Sequence, residues 1–216
     1  MPPALEDNAE ALLNSVLFFN AFDAVLGGWS QISDPGKKVR SNYYSNGGFD
    51  ALTDSALAAT GVGVSVPIPV WPGQDTITAV SILVGATPAG TPTHGFAALL
   101  VGGIALPTVI VQSADTLTTA IPASLWFTYT LTTPTLITTA MAPYGYIYAQ
   151  ISATGTTIQT AASYSTPTAL QPATFPTGLA HAPIFQSFTS GSGLAGTAVT
   201  VASPAAKATQ PLIVLS

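Results

Sequence analysis

Val62-Gly63-Val64-Ser65-Val66-Pro67-Ile68-Pro69-Val70 carries a branched aliphatic side chain at every second position. Side chains on a β-strand point to alternate faces, so this period of two predicts a half-buried strand. The period returns further along the chain. Leu125, Phe127, Tyr129 and Leu131 alternate with Trp126, Thr128 and Thr130; after a break bearing Thr and Pro, Tyr144, Tyr146 and Tyr148 alternate with Ile147, Ala149 and Ile151.

Outward from these runs, strands are expected near 62–70, 76–84, 94–101, 104–112, 124–132, 135–141, 144–153, 157–162, 183–189, 197–202 and 211–215. Their short spacing is that of a sandwich or barrel. Trp71-Pro72-Gly73-Gln74 reads as the first turn, and Gly102-Gly103 between two apolar runs as a two-residue hairpin. Pro67 and Pro69 have no N–H to give, so the strand that holds them is expected at an edge or at a bulge. Residues 163–182, rich in Pro, Thr and Ala, read as a long loop. Pro211-Leu212-Ile213-Val214-Leu215-Ser216 reads as a strand stitched into the sheet.

The N-terminal part differs. Residues 8–26 predict a helix, with Asp7 as cap, Glu10 completing a capping box and Gly27-Gly28 as the stop. Leu12, Leu13, Val16, Leu17, Phe18, Phe19, Phe22, Val25 and Leu26 cover far more than one stripe of it. A helix apolar nearly all round is buried, either on the β domain or between subunits. Residues 29–60 hold Lys37, Lys38 and Arg40 with Asp34, Asp50 and Asp54, and read as an extended arm. After Gly61 the only charged residues are Asp75, Asp115 and Lys207. The expected organisation is thus 1–28 helical, 29–60 an arm, and 61–216 an all-β domain.

The 216 residues suffice for a sizeable core without a metal or disulfide staple, and cysteine is absent. Charged residues make up 6% of the chain, against about 25% in an ordinary globular protein. So uncharged a surface predicts extensive cover by partners. A net charge of −5 with four basic residues argues against nucleic acid, which needs clustered cations. No apolar run approaches the roughly 20 residues of a membrane-spanning helix. Glu6, Asp7 and Glu10 stand where a secretory leader would be basic.

Catalytic and metal chemistry find little footing. Asp75 and Asp115 each adjoin a turn and read as turn caps; His94 and His181 have no His or carboxylate at ligand spacing. No Gly-x-Ser-x-Gly elbow and no phosphate-cradling glycine loop occurs. No catalytic residue, metal ligand or cofactor is therefore expected. For ligand binding, aromatics borne on loops are the candidates: Trp71 at its turn, and Tyr164 at the start of the long loop. Trp126 and the alternating tyrosines, lying at strand period, are expected to pack a core or a seam between sheets.

The order of motifs along 76–151 is that of a known group. It runs Thr76-Ile77-Thr78-Ala79-Val80, Thr87-Pro88-Ala89-Gly90, Gly95-Phe96-Ala97-Ala98-Leu99-Leu100, Gln112-Ser113-Ala114-Asp115, Leu131-Thr132-Thr133-Pro134 and Tyr144-Gly145-Tyr146-Ile147-Tyr148-Ala149. It resembles the β domain of minor tail proteins from actinobacterial, mycobacteriophage-like tailed phages, over roughly 62–216. The resemblance implies a jelly-roll-like β-sandwich in a virion tail, near the host-facing tip, with binding to host surface polysaccharide. It names no catalytic residue. Leu100 stands where the group commonly has an aromatic, and this chain is short, with no collagen-like or fibre segment. On this expectation the partners are other virion proteins and copies of the chain itself, a trimer by analogy. Leu12, Leu13, Val16, Phe18, Phe19 and Phe22 would then form an assembly anchor. A carbohydrate-binding adhesin and a capsid decoration protein are the alternatives.

Overall fold

A computed structural model describes residues 40–41, 52–57, 60–102, 107–143, 145–165, 187–191, 205–207 and 209–216. The helix expected over 8–26, the strand expected at 197–202 and most of the 163–182 loop lie outside them. Every regular element among the described residues is a β-strand. In chain order they are β1 (Arg40–Ser41), β2 (Thr53–Ala56), β3 (Val62–Pro69), β4 (Thr76–Leu83), β5 (His94–Val101), β6 (Thr108–Gln112) and β7 (Trp126–Leu136). There follow β8 (Tyr146–Thr154), β9 (Thr160–Ser165), β10 (Ser187–Gly191), β11 (Ala205–Lys207), β12 (Thr209–Pro211) and β13 (Ile213–Leu215).

All pairings are antiparallel. One sheet runs β1-β13-β4-β7, a second runs β11-β10-β3-β8-β5-β6, and a small third runs β12-β9-β2. The two large sheets face each other across one apolar layer. Val64, Val66 and Ile68 of β3, Ala97 and Leu99 of β5, and Ile147, Ala149 and Ile151 of β8 supply one side. Ile77, Val80 and Ile82 of β4, Tyr129 and Leu131 of β7, and Ile213 and Leu215 of β13 supply the other. The architecture is all-β and sandwich-like. Ser113 bridges Leu131, which joins the sheets along one margin. β1 and β2, from the stretch expected to be an arm, pair with β13 and β9.

The alternation on β7 is as expected: Phe127, Tyr129 and Leu131 turn to the core while Trp126, Thr128 and Thr130 are exposed. β3 and β8 depart from the half-buried expectation. Each is buried on both faces along nearly its whole length: one face meets the main core, and on the other Ser65, Gln150 and Tyr148 are covered as well. On the outward face of that sheet Phe96, Ala98, Leu100, Tyr146 and Tyr148 form a second apolar cluster. Tyr146 and Tyr148 therefore pack apart from the main core, edge to face with ring centroids 5.6 Å apart.

Three further readings are corrected. The Gly102-Gly103 pair does not make a two-residue hairpin: β5 and β6 are partners, but Val101 pairs with Thr108, so the connection is longer. The strands expected at 124–132 and 135–141 merge into the single β7, whose register against β4 shifts between Ile77 and Ala79. Finally, β3 is central and edge-like at once. It pairs with β8 from Val64 to Pro69 but with β10 only from Val62 to Ser65. The Val70 N–H donates to Gly145 O on the β8 side, so by alternation the donorless nitrogens of Pro67 and Pro69 face the other way, where β10 has ended. The prolines remove no ladder bond there.

Ile151 is 1% exposed and sits between β3 and β5. Ile151→Ala is expected to lower stability by about 2–5 kcal/mol, from lost transfer energy and the cavity left behind. Thr130→Ala, on the exposed face of β7, should stay within about 0.5 kcal/mol of the wild type. Urea midpoints of the two variants check this.

Candidate functional site

The charged side chains placed by the structure all serve the main chain. Asp75 is 2% exposed, and its Oδ2 accepts the Trp71 N–H at 2.7 Å. This closes the turn between β3 and β4, where Gln74 N–H and Asp75 N–H both bond Trp71 O. Asp54 Oδ1 accepts the Ala86 N–H at 3.0 Å, tying β2 to the segment after β4. Lys207 Nζ donates to Ala56 O at 3.1 Å, and burial pushes its pKa below the ordinary 10.5.

Asp115 is the most heavily engaged. Its Oδ1 accepts the N–H groups of Gly95 (3.0 Å) and Leu117 (2.9 Å), and its Oδ2 lies 2.5 Å from His94 Nδ1. A carboxylate only accepts, so Nδ1 carries the proton of this bond. Burial raises the Asp115 pKa, but the hydrogen bonds from His94, Gly95 and Leu117 and the charge of His94 outweigh it and hold it below 3.8. Read along the chain alone, the two residues are a turn cap and a lone histidine. The β5–β6 pairing brings them together across 21 positions. A Cβ at Gly95 would collide with the Thr116 hydroxyl, which would have to turn away from this junction. Leu117 adopts a left-handed backbone (φ 44°), which its N–H bond to Asp115 helps to hold. The pair clamps the turn after β6 onto the start of β5. Among the described residues no group of three or more His, Cys, Asp or Glu could hold a metal ion. Nor does any helix among them have the length and apolarity to cross a membrane.

The two ligand candidates sit on separate elements. Trp71, half-buried, lies on the Asp75-closed turn before β4. Tyr164 pairs with Gln210 in the small sheet, and its side chain lies outside what the structure describes. The proposed anchor residues Leu12, Leu13, Val16, Phe18, Phe19 and Phe22 also lie outside the described residues. A cavity of about 480 Å³ opens beside Ala56, Leu57, Ile158 and Gln159; no charged group lines it.

Among the described residues the exposed aromatic is a different one. Trp126, expected in a core or seam, is 48% exposed at the start of β7, with Leu125 beside it at 57%. The residue before them, Ser124, has φ 57°, a left-handed turn that brings the chain onto the sheet margin. Trp126 faces Leu83 of β4, and two pairs along, on the same face, the Ser81 and Thr128 hydroxyls bond each other at 2.8 Å. The period of two separated Trp126 from the Phe127 face but could not say which face meets the core.

Asp115→Ala should cost on the order of 2–3 kcal/mol, since two N–H groups and an imidazole lose an ionised acceptor. The carboxyl's pKa is depressed in the fold, so its contribution is full above 3.8 and fades as pH falls through the lower folded value. Urea titrations between about pH 5 and pH 2 should show wild-type stability falling by an increment that the variant lacks.

A scan against protein-family models, a search of curated proteins and a search of solved structures each match nothing to this chain.

Proposed function

We propose that this chain is a non-enzymatic structural subunit of a phage virion, a minor tail protein at or near the tail tip, whose jelly-roll-like domain meets host surface polysaccharide. The observation that carries the reading is the state of the charges. From Gly61 onward only Asp75, Asp115 and Lys207 are charged, and none of the three is exposed. A domain with such a surface is a poor free colloid and a good component of a close-packed assembly, where charges would have to be desolvated at every contact. The order of motifs along 76–151 supports the tail assignment. In this reading Leu12, Leu13, Val16, Phe18, Phe19 and Phe22 dock the subunit among other virion proteins or copies of itself, three by analogy with tail symmetry.

A second reading, a carbohydrate-binding adhesin, is favoured by the exposure of Trp126 on a hydroxyl-rich strand.

Immunogold electron microscopy of intact particles, with antibody raised to the β domain, tests the proposal. Label at the tail tip is expected. Label on the head would make the chain a capsid decoration protein, and no label on any particle would overturn the virion assignment. The full-length double variant Phe19→Asp, Phe22→Asp is expected to keep its melting temperature yet fail to enter particles. Normal incorporation would remove the anchor role.

A further inference from the structure

We propose that the outer face of the four-stranded sheet around Trp126 binds a neutral saccharide chain, with one sugar ring stacked on the indole. The inference rests on the host-binding part of the reading above and names its ligand class and its site.

Three properties of the face select this ligand. The first is an aromatic plate presented on a rigid element. Trp126 lies on β7, paired to β4 from Leu83 to Thr76, so a platform on it is fixed by main-chain bonds. Large apolar side chains rimmed by polar ones mark interaction sites, and Trp is the residue type that most often dominates them.

The second is what surrounds the plate. Thr128 and Thr130 follow it at the two-residue step of β7, and Ser81 stands across from Thr128. The Ser81 and Thr128 hydroxyls share one bond, which leaves a second donor and several lone pairs available to a ligand. Strand geometry sets these hydroxyls roughly 7–8 Å from the tryptophan position, one along the strand and one diagonally across it. A sugar offers the matching pattern: apolar C–H faces for the ring and a rim of hydroxyls for the hydroxyls.

The third is charge. Among the described side chains the face of β4 and β7 carries no ionisable group, and Lys207, the cation placed among them, donates to Ala56 O elsewhere. An anionic polysaccharide or an acidic peptide would find no counter-charge among these side chains. The apolar part is a short strip, Trp126, Leu83 and Leu125 with part-buried Leu212 and Val214 on the neighbouring strand side. A stable protein–protein interface needs about 800 Å² from each partner, far more than this strip. Trp71, by contrast, is half-buried on a turn closed by its own main chain.

The test uses purified full-length protein and affinity electrophoresis through gels containing dextran, mannan, galactan or arabinan, with polygalacturonate as charged comparator. Retardation by at least one neutral polysaccharide is expected, unchanged in high salt. Trp126→Ala should weaken it at least tenfold with an unaltered melting temperature, Trp126→Phe should restore most of it, and Trp71→Ala should leave it intact. Retardation by none of the four, or equal retardation of wild type and Trp126→Ala, overturns the proposal. Retardation by polygalacturonate alone, lost in salt, overturns it as well. If sedimentation shows instead that Trp126→Ala abolishes self-association while saccharide binding is absent, the face is a contact between copies. Incorporation of Trp126→Ala into particles is scored separately: a variant that assembles normally but no longer binds saccharide supports both conclusions. Wild-type protein that binds saccharide through Trp126 but is found in no particle leaves the site standing and removes the virion reading.

Discussion

A strand buried on both faces and paired on both sides has no register to spare, and β8 is such a strand. It pairs with β3 through Pro69↔Tyr146 to Val64↔Ile151 and with β5 through His94↔Thr154 to Leu100↔Tyr148. A slip of one residue would exchange Ile147, Ala149 and Ile151 with Tyr146, Tyr148 and Gln150, sending polar and oversized side chains into the main core. The rest of the large sheet inherits its alignment from this strand. Through β5 that alignment reaches His94, whose bond to Asp115 pins the turn that carries the chain away from β6.

How much of this could be read in the sequence depended on the range of the forces involved. β3, β4 and β5 were legible almost to the residue, because a period of two bounded by Trp71-Pro72-Gly73-Gln74 and similar turns is a local signal. The Gly102-Gly103 connection was misjudged because loop length depends on which residues the strands choose to pair, and the partner of Val101 proved to be Thr108. β7 absorbed two expected strands for a related reason: its register shift against β4 lets one strand continue past Pro134. The chemistry-bearing contact, His94 with Asp115, has no local mark at all. The exposure of Trp126 escaped as well, since periodicity divides a strand into two faces without saying which is wet.

Among the described residues, carboxylates act as main-chain acceptors. Asp54, Asp75 and Asp115 each receive an N–H from a turn or irregular segment that has no ladder partner to offer it one. An ionised acceptor makes a stronger bond than a neutral one, and a sandwich with many short connections needs such bonds at its corners. Using the acids in this way leaves the outer sheet surfaces to threonine, serine and a few apolar side chains. That division leaves the exposed face of β4 and β7 to hydroxyls and an aromatic side chain, with no ionic group among its described residues.

The two prolines of β3 have one more implication. Among the described residues β10 pairs with β3 only as far as Ser65, and the stretch from Val66 to Ile68 is itself buried. Where the flank of a sheet lies open, its N–H groups invite another strand, and pairing of that kind propagates into fibres. Pro67 and Pro69 put ring carbons where the inviting N–H groups would be. The flank can be crowded without being read as a template, which lets a charge-poor protein tolerate its own company.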